Sequence, residues 1–90
     1  MTLDVSNSEA AILSRAFQPE KGDLSPEAAK SLLNVKISEG DQTRAHELAA
    51  KAREGSLTPS DEAELNNYRD VGRLLELLKS KARLSLKQAA

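Results

Sequence analysis

The longest regular pattern of apolar and polar residues lies in the C-terminal third of the chain. After Pro59 no proline interrupts the sequence, and apolar residues return every three or four positions, the spacing of one face of an α-helix. The main apolar stripe consists of Tyr68, Val71, Leu75, Leu78, Ala82 and Leu86, with Leu65 at its edge. We therefore predict one long helix from Pro59 to about Leu86, roughly 40 Å in length. Gly72 lies at the edge of the stripe, where close approach by another helix would explain a glycine.

Two shorter helices are predicted near the N-terminus from their capping signals. Ser6 and Glu9 have the spacing of a capping box, which predicts a first helix with Ser6 as N-cap. This helix should run through Phe17, because the proline at position 19 disfavours helical backbone before it. Ser25 is followed by a proline and an acidic residue, which predicts a second helix that runs to about Lys36.

A third helix is predicted between Ser38 and Gly55. Ser38 can cap its start, and Gly55 supplies the residue type that most often ends a helix. Its apolar positions form a narrow stripe of small and medium side chains at helical spacing: Ala45, Leu48, Ala49 and Ala52. Thr58 followed by proline then repeats the same starting signal for the long helix.

These elements predict an all-α fold in which three short helices pack along one long C-terminal helix. No segment shows the alternating β-branched pattern of a strand. Ninety residues are typical of a single domain, so we expect one helical domain over residues 1–90. An alternative is that residues 1–23 form a segment only loosely attached to this domain. Seven of the fourteen leucines follow residue 64, which predicts a thin, leucine-rich core.

Two leucines of the long helix do not belong to the main apolar stripe. Leu77 and Leu84 lie almost opposite it, seven residues apart. Leucines on both sides of a helix indicate either burial under another local helix or a second contact surface. Both interpretations stay open from the sequence, and the second makes Leu77 and Leu84 candidate partner-binding residues.

Four basic residues occupy a neighbouring sector of the same helix. We call them the basic strip: Arg69, Arg73, Arg83 and Lys87. A basic strip can be a solvated face, can meet an acidic protein surface, or can follow the phosphates of a nucleic acid. The sequence offers no interleaved aromatic residue for stacking on bases, which disfavours nucleic acid. A solvated face is therefore the default interpretation of the strip, and a protein partner is preferred over nucleic acid as its ligand.

The charge of the chain is unevenly distributed. Residues 1–68 carry seven basic and twelve acidic side chains, a net charge of −5, whereas residues 69–90 carry six basic and two acidic side chains, a net charge of +4. This division indicates a basic C-terminal surface on an otherwise acidic protein. Cations near a helix C-terminus also complement the helix dipole, which explains part of the pattern without a partner.

The residues that carry catalysis are missing or scattered. The chain has no cysteine and one histidine, His46, so the usual zinc and iron sites cannot be built. No glycine-rich phosphate loop or serine elbow is present, and the carboxylates are spread over predicted helix surfaces. We expect no enzymatic activity, no cofactor and no small-molecule substrate.

Several segments resemble a group of short, uncharacterised bacterial proteins whose genes often lie beside those of HNH-type nucleases. The resemblance covers about residues 24–87 and is carried by LSPEAA at 24–29, GSLTP at 55–59, NYRDVGRLL at 67–75 and SKAR at 80–83. It implies an accessory or antitoxin-like partner of a nuclease. It implies no specific site residue.

The sequence as a whole favours a non-catalytic protein-interaction module that uses Leu77, Leu84 and the basic strip. Nucleic-acid binding through the strip and a self-associating structural role are the alternatives. No run of about twenty apolar residues is present, and the N-terminus has no secretory signal pattern, so a bacterial cytoplasm and no membrane are expected.

Overall fold

The computed structural model describes residues 7–89, which form four α-helices and no β-strand. The helices are α1 (Glu9–Phe17), α2 (Pro26–Leu33), α3 (Glu39–Glu54) and α4 (Pro59–Ala89). The three shorter helices pack against α4. The predicted all-α fold class, with three short helices along one long C-terminal helix, is thereby confirmed.

Three of the four predicted helix starts are confirmed. In α2, α3 and α4 a hydroxyl oxygen accepts a hydrogen bond from the backbone N–H three residues later, at 3.0–3.2 Å. The capping residues are Ser25, Ser38 and Thr58. Each hydroxyl satisfies one of the N–H groups that the first turn of a helix leaves without a partner.

Two predicted boundaries differ from the structure. Ser8 caps α1, since its hydroxyl accepts from the N–H of Ala11, whereas the predicted cap Ser6 lies outside the described residues. The predicted extension of α2 to Lys36 is wrong, because the helix ends at Leu33. The Asn34 N–H bonds three residues back, to Ser31, so the last turn tightens and the helical ladder stops.

The ends of α1 and α3 both use left-handed backbone. Gly55 adopts φ 71° after α3, as its predicted role as a helix stop requires. After α1 the same region is occupied by Gln18, a residue with a side chain, at φ 49°. Non-glycine residues rarely adopt this conformation, so the structure around Gln18 must hold it in place.

The described contacts form two compact units, each built on a different part of α4. The α3 unit spans Lys36–Gly72 and contains α3 with the first part of α4. Leu48 and Leu65 are its buried apolar side chains. The α1–α2 unit contains α1, α2 and the part of α4 from Arg73 onward.

In the α3 unit, paired charges join α3 to α4. Arg44 donates two hydrogen bonds to the carboxylate of Glu64, at 2.8 and 2.9 Å, in the bidentate geometry that guanidinium groups favour. This contact raises the pKa of Arg44 and lowers the pKa of Glu64. One turn further along α4, the Tyr68 hydroxyl donates to Asp41 at 2.8 Å, which raises the pKa of Tyr68.

Asp61 has two roles in this unit. Its carboxylate accepts from the backbone N–H of Thr58, at 3.3 Å, and thereby completes a reciprocal capping box at the start of α4. The same carboxylate accepts from the ammonium of Lys51 on α3, also at 3.3 Å. The Thr58 N–H and Lys51 together hold the pKa of Asp61 below its usual range.

In the α1–α2 unit, the buried side chains of α4 include two polar groups. Ala29 of α2 and Ala82 of α4 are the buried apolar residues among those described in this unit. Lys81 and Ser85, which belong to no predicted apolar stripe, are also buried. The predicted main apolar stripe of α4 is thus only part of what the helix buries.

Two assignments to the apolar side of α4 are wrong. Val71, placed in the main stripe, is 45% exposed, although Leu65 and Ala82 of the same stripe are buried. Gly72 has no close neighbour, since a Cβ built on it meets no atom within 4 Å beyond its own helix backbone. The glycine is therefore not explained by close approach of another described helix.

We expect acid to destabilise the protein through the α3 unit. Asp61 and Glu64 have lower pKa values in the folded protein, so in acid the unfolded chain binds more protons than the folded one. The free energy of unfolding should therefore hold above about pH 5 and fall as pH drops through about 4 towards 3. Urea unfolding at several pH values measures how steeply the free energy of unfolding falls with pH.

Glu64→Gln should make this pH dependence shallower, whereas the exposed control Glu62→Gln should leave it as in the wild type. An unchanged pH dependence in Glu64→Gln would contradict the assignment.

Gly72→Ala should stabilise the protein. Open space surrounds the added methyl group, and alanine in a helix interior is favoured over glycine by about 1 kcal/mol. Gly55→Ala is the matched comparison, because its φ of 71° should make the same change cost about 1 kcal/mol. Thermal and urea unfolding of both variants measure the difference. Destabilisation by Gly72→Ala would show that the position needs a glycine.

Candidate functional site

The structure groups three of the four basic-strip residues in one unit. Arg73, Arg83 and Lys87 are exposed on the part of α4 that belongs to the α1–α2 unit. Arg69 is also exposed but belongs to the α3 unit. The candidate surface is therefore the solvent-facing side of α4 from Arg73 to Lys87.

Arg83 has one weak acidic contact on this surface. Glu76 approaches Arg83 at 3.9 Å, and the two side chains are 72% and 57% exposed, respectively. Exposed ion pairs of this kind contribute little to stability because solvent screens both charges. Lys87 lies in the last turn of α4, where the helix dipole favours a cation. Arg83 and Lys87 are therefore compatible with the helix and are exposed to an acidic group of a partner.

Leu77 and Leu84 are both half-buried. They are therefore neither fully buried under another helix nor fully exposed as a separate contact surface. A Cβ placed on Gly22 would lie 2.9 Å from Leu84 Cγ, so Leu84 packs directly on the backbone at Gly22. Part of Leu84 is therefore committed to packing within the chain. The role of the two leucines in partner binding stays a prediction.

Between these leucines, Lys81 forms the central polar contact of the unit. Its side chain is only 7% exposed, and its ammonium group donates to the backbone oxygens of Gln18 at 3.3 Å and Lys21 at 3.0 Å. The carboxylate of Asp23 provides a third oxygen. Three acceptors match the three N–H donors of an ammonium group. The contact also lowers the pKa of Asp23.

Ser85 adds a second tie between α4 and the same loop. Its buried hydroxyl donates to the backbone oxygen of Lys81 at 2.8 Å and accepts from the N–H of Leu24 at 3.2 Å. Through these hydrogen bonds, Lys81 and Ser85 together hold residues 18–24 against α4. Because this loop connects α1 to α2, the two residues position both helices beside the candidate surface.

Sequence reasoning missed Lys81 and Ser85, because it assigned buried positions by hydrophobicity alone. One signal was present: Lys81 lies four residues after Leu77 and three before Leu84, so it shares their side of the helix. What the sequence could not show was the set of oxygens that meets the ammonium. Those oxygens are about sixty residues away along the chain.

A second feature missed by the sequence is the outward apolar face of α1. Ile12, Leu13 and Phe17 are 49%, 44% and 39% exposed, and α1 contains no buried residue. We call these three residues the α1 apolar face. Their spacing of one, four and five positions keeps them on one side of the helix. The smaller residues Ala10, Ala11 and Ser14 are the half-buried ones.

Residues 7–89 contain no cluster of side chains that could hold a metal ion. His46 is exposed on α3, and no group of three or more potential metal ligands occurs within that range. Comparison with protein families, with curated proteins and with solved structures found no match in any of the three. Within the same described range, no helix has the length and apolar character to cross a membrane.

Lys81→Met should loosen the loop between α1 and α2. The methionine keeps most of the apolar stem but leaves the oxygens of Gln18 and Lys21 without their charged donor, so the free energy of unfolding should fall by about 2 kcal/mol. Hydrogen exchange of the Leu24 N–H should accelerate more than that of N–H groups in α3. Lys87→Met is the exposed control. Equal stability of the two variants would show that the buried ammonium is not required.

Proposed function

We propose that this chain is a non-catalytic protein-interaction module that binds an acidic partner surface through the second part of α4. The contact residues are the strip members of the α1–α2 unit together with the two half-buried leucines: Arg73, Leu77, Arg83, Leu84 and Lys87. The observation that carries the proposal is the exposure of three cations beside apolar side chains that are only partly used inside the chain.

This combination fits a protein partner in energetic terms. Arginine is enriched in protein interfaces and among the residues that contribute most to binding, whereas partly buried leucine supplies apolar area that a partner can remove from water. The cations would orient the partner and raise the association rate. Arg69, in the α3 unit, is left out of the proposed minimum surface and retained as a candidate contact.

The resemblance to proteins encoded beside HNH-type nucleases favours one class of partner. A nuclease-binding accessory or antitoxin-like protein needs no active site of its own, in agreement with the proposed lack of catalysis. Within this proposal the chain acts in a bacterial cytoplasm.

Charge reversal on the strip tests the proposal. Arg83→Glu with Lys87→Glu should remove a protein that is retained by the tagged wild-type chain from a lysate of its own cells. The change leaves the buried contacts of Lys81 intact, so the fold should be retained, with a weakened last turn of α4 because Lys87 no longer complements the helix dipole. Mass spectrometry identifies the retained protein, and circular dichroism checks the fold.

The matched control reverses two exposed cations of the α3 unit, Lys36→Glu with Arg53→Glu. It has the same change of net charge, so it should still retain the partner. Equal loss of binding in both double variants would overturn the assigned surface. Recovery of nucleic acid, with loss of the retained proteins on nuclease treatment and a steep salt dependence, would instead indicate phosphate binding by the strip.

A further inference from the structure

Residues 9–24, which comprise α1 and the loop that follows it, include no buried residue. We call this segment the strap. Its half-buried residues in α1 are the small Ala10, Ala11 and Ser14, and Gln18 holds left-handed backbone that opening of the strap would relieve. Segments with few buried apolar contacts open at a lower free energy than the rest of a protein. Apolar packing therefore contributes little to keeping the strap closed, and its polar contacts with α4 contribute more.

Those contacts lie at one edge of the proposed partner surface. Lys81 is four residues after Leu77 and three before Leu84, so the three residues form one row along α4. The strap places the carboxylate of Asp23 on the Lys81 ammonium. It also places the backbone of Gly22 against Leu84, because a Cβ on Gly22 would lie 2.9 Å from Leu84 Cγ. The strap thus covers one cation and part of one leucine in this row.

The exposed cations lie on the other side of the same leucines. Arg73 is four residues before Leu77, and Lys87 is three residues after Leu84. An acidic segment bound to these cations would bring its carboxylates towards Asp23, and like charges repel. The same segment would gain the ammonium that Asp23 occupies if the strap moved away.

We propose that the strap is an autoinhibitory cover of the partner surface and that an acidic segment of the partner displaces it from Lys81 and Leu84. This inference rests on the proposed function and adds its regulation. A ligand shifts an equilibrium only through a difference in affinity between the two states. The difference here is the Lys81 ammonium and the remaining area of Leu84, which only the open state offers, together with the removal of Asp23.

Displacement of the strap can be measured without a protein partner. The dye anilinonaphthalene sulfonate combines an anionic group with aromatic rings, so it suits a cation beside a leucine. Dye that binds the open state raises the population of that state. Saturating dye should therefore accelerate hydrogen exchange of the Leu24 N–H, which donates to Ser85 in the closed state, at least about threefold. Exchange at Leu24 that stays as slow with the dye as without it would overturn the proposal.

Asp23→Asn tests the part played by the carboxylate. The variant removes the internal acid but keeps the shape of the side chain, so the open state should be populated about threefold more. Exchange at Leu24 and the affinity for the dye should both rise by that factor, since only the open state binds. Glu20→Gln is the matched control, because it removes one exposed negative charge from the same loop. The control should leave both quantities as in the wild type.

Gly22→Ala tests the packing of the strap on Leu84. The added methyl group would meet Leu84 Cγ at 2.9 Å, so exchange at Leu24 and dye affinity should both rise at least about fivefold. Gly72→Ala, the same substitution in open space, should raise neither. Leu84→Ser added to Gly22→Ala should remove the gain in dye affinity and leave exchange at Leu24 fast. Exchange of the N–H groups in α3 should not accelerate in any variant, which checks that the rest of the chain is folded.

Three further results would overturn the proposal. The first is no acceleration at Leu24 in Asp23→Asn and Gly22→Ala, which would show that these contacts do not hold the strap. The second is acceleration without a gain in dye affinity, which would show that the strap covers no binding surface. The third is a gain in dye affinity that survives Leu84→Ser, which would place the dye elsewhere. Failure of the charge reversal on the basic strip to release the retained protein would instead overturn the proposed function and leave these results unchanged.

Discussion

The ammonium group of Lys81 is buried in the α1–α2 unit and is surrounded by oxygens of one loop, those of Gln18, Lys21 and Asp23. A buried charge is costly unless each of its donors has a partner, so this contact forms only when the loop has its native path. That path determines where α1 ends and where α2 begins. Much of the unit therefore depends on one side chain of α4.

The polar contacts matter because few apolar side chains are fully buried in the part of the chain that the structure describes. Among the described residues the buried apolar side chains are Ala29, Leu48, Leu65 and Ala82, two of which are alanines. Small domains gain only a few kcal/mol from one core. In the α3 unit the corresponding contact is the bidentate pair of Arg44 and Glu64. Paired charges give each unit the directional contacts that a few alanines and leucines cannot supply.

The sequence predicted those features whose causes are local. Ser25, Ser38 and Thr58 were correct as N-caps because a capping hydroxyl and the backbone N–H that donates to it lie within three positions. Gly55 was correct for the same reason, since its backbone freedom is a property of the residue itself. The all-α fold class followed from these signals and from helical periodicity.

The features that depend on distant residues could not be predicted in this way. Val71 has the right spacing for the core, yet nothing in the spacing shows whether another helix covers it. The buried state of Lys81 depends on a loop about sixty residues earlier. The candidate surface on α4 was predicted as a set of positions along one helix. Its division between two units, and the packing of Leu84 on Gly22, required the structure.

Asp61 links two events that helical proteins often keep separate. Its carboxylate completes the capping box that starts α4 and also accepts the ammonium of Lys51 from α3. The carboxylate of Asp61 thus takes part both in starting the long helix and in joining it to α3. In folding, this shared group couples the local and the tertiary step, so the α3 unit should gain or lose both together as a single cooperative element.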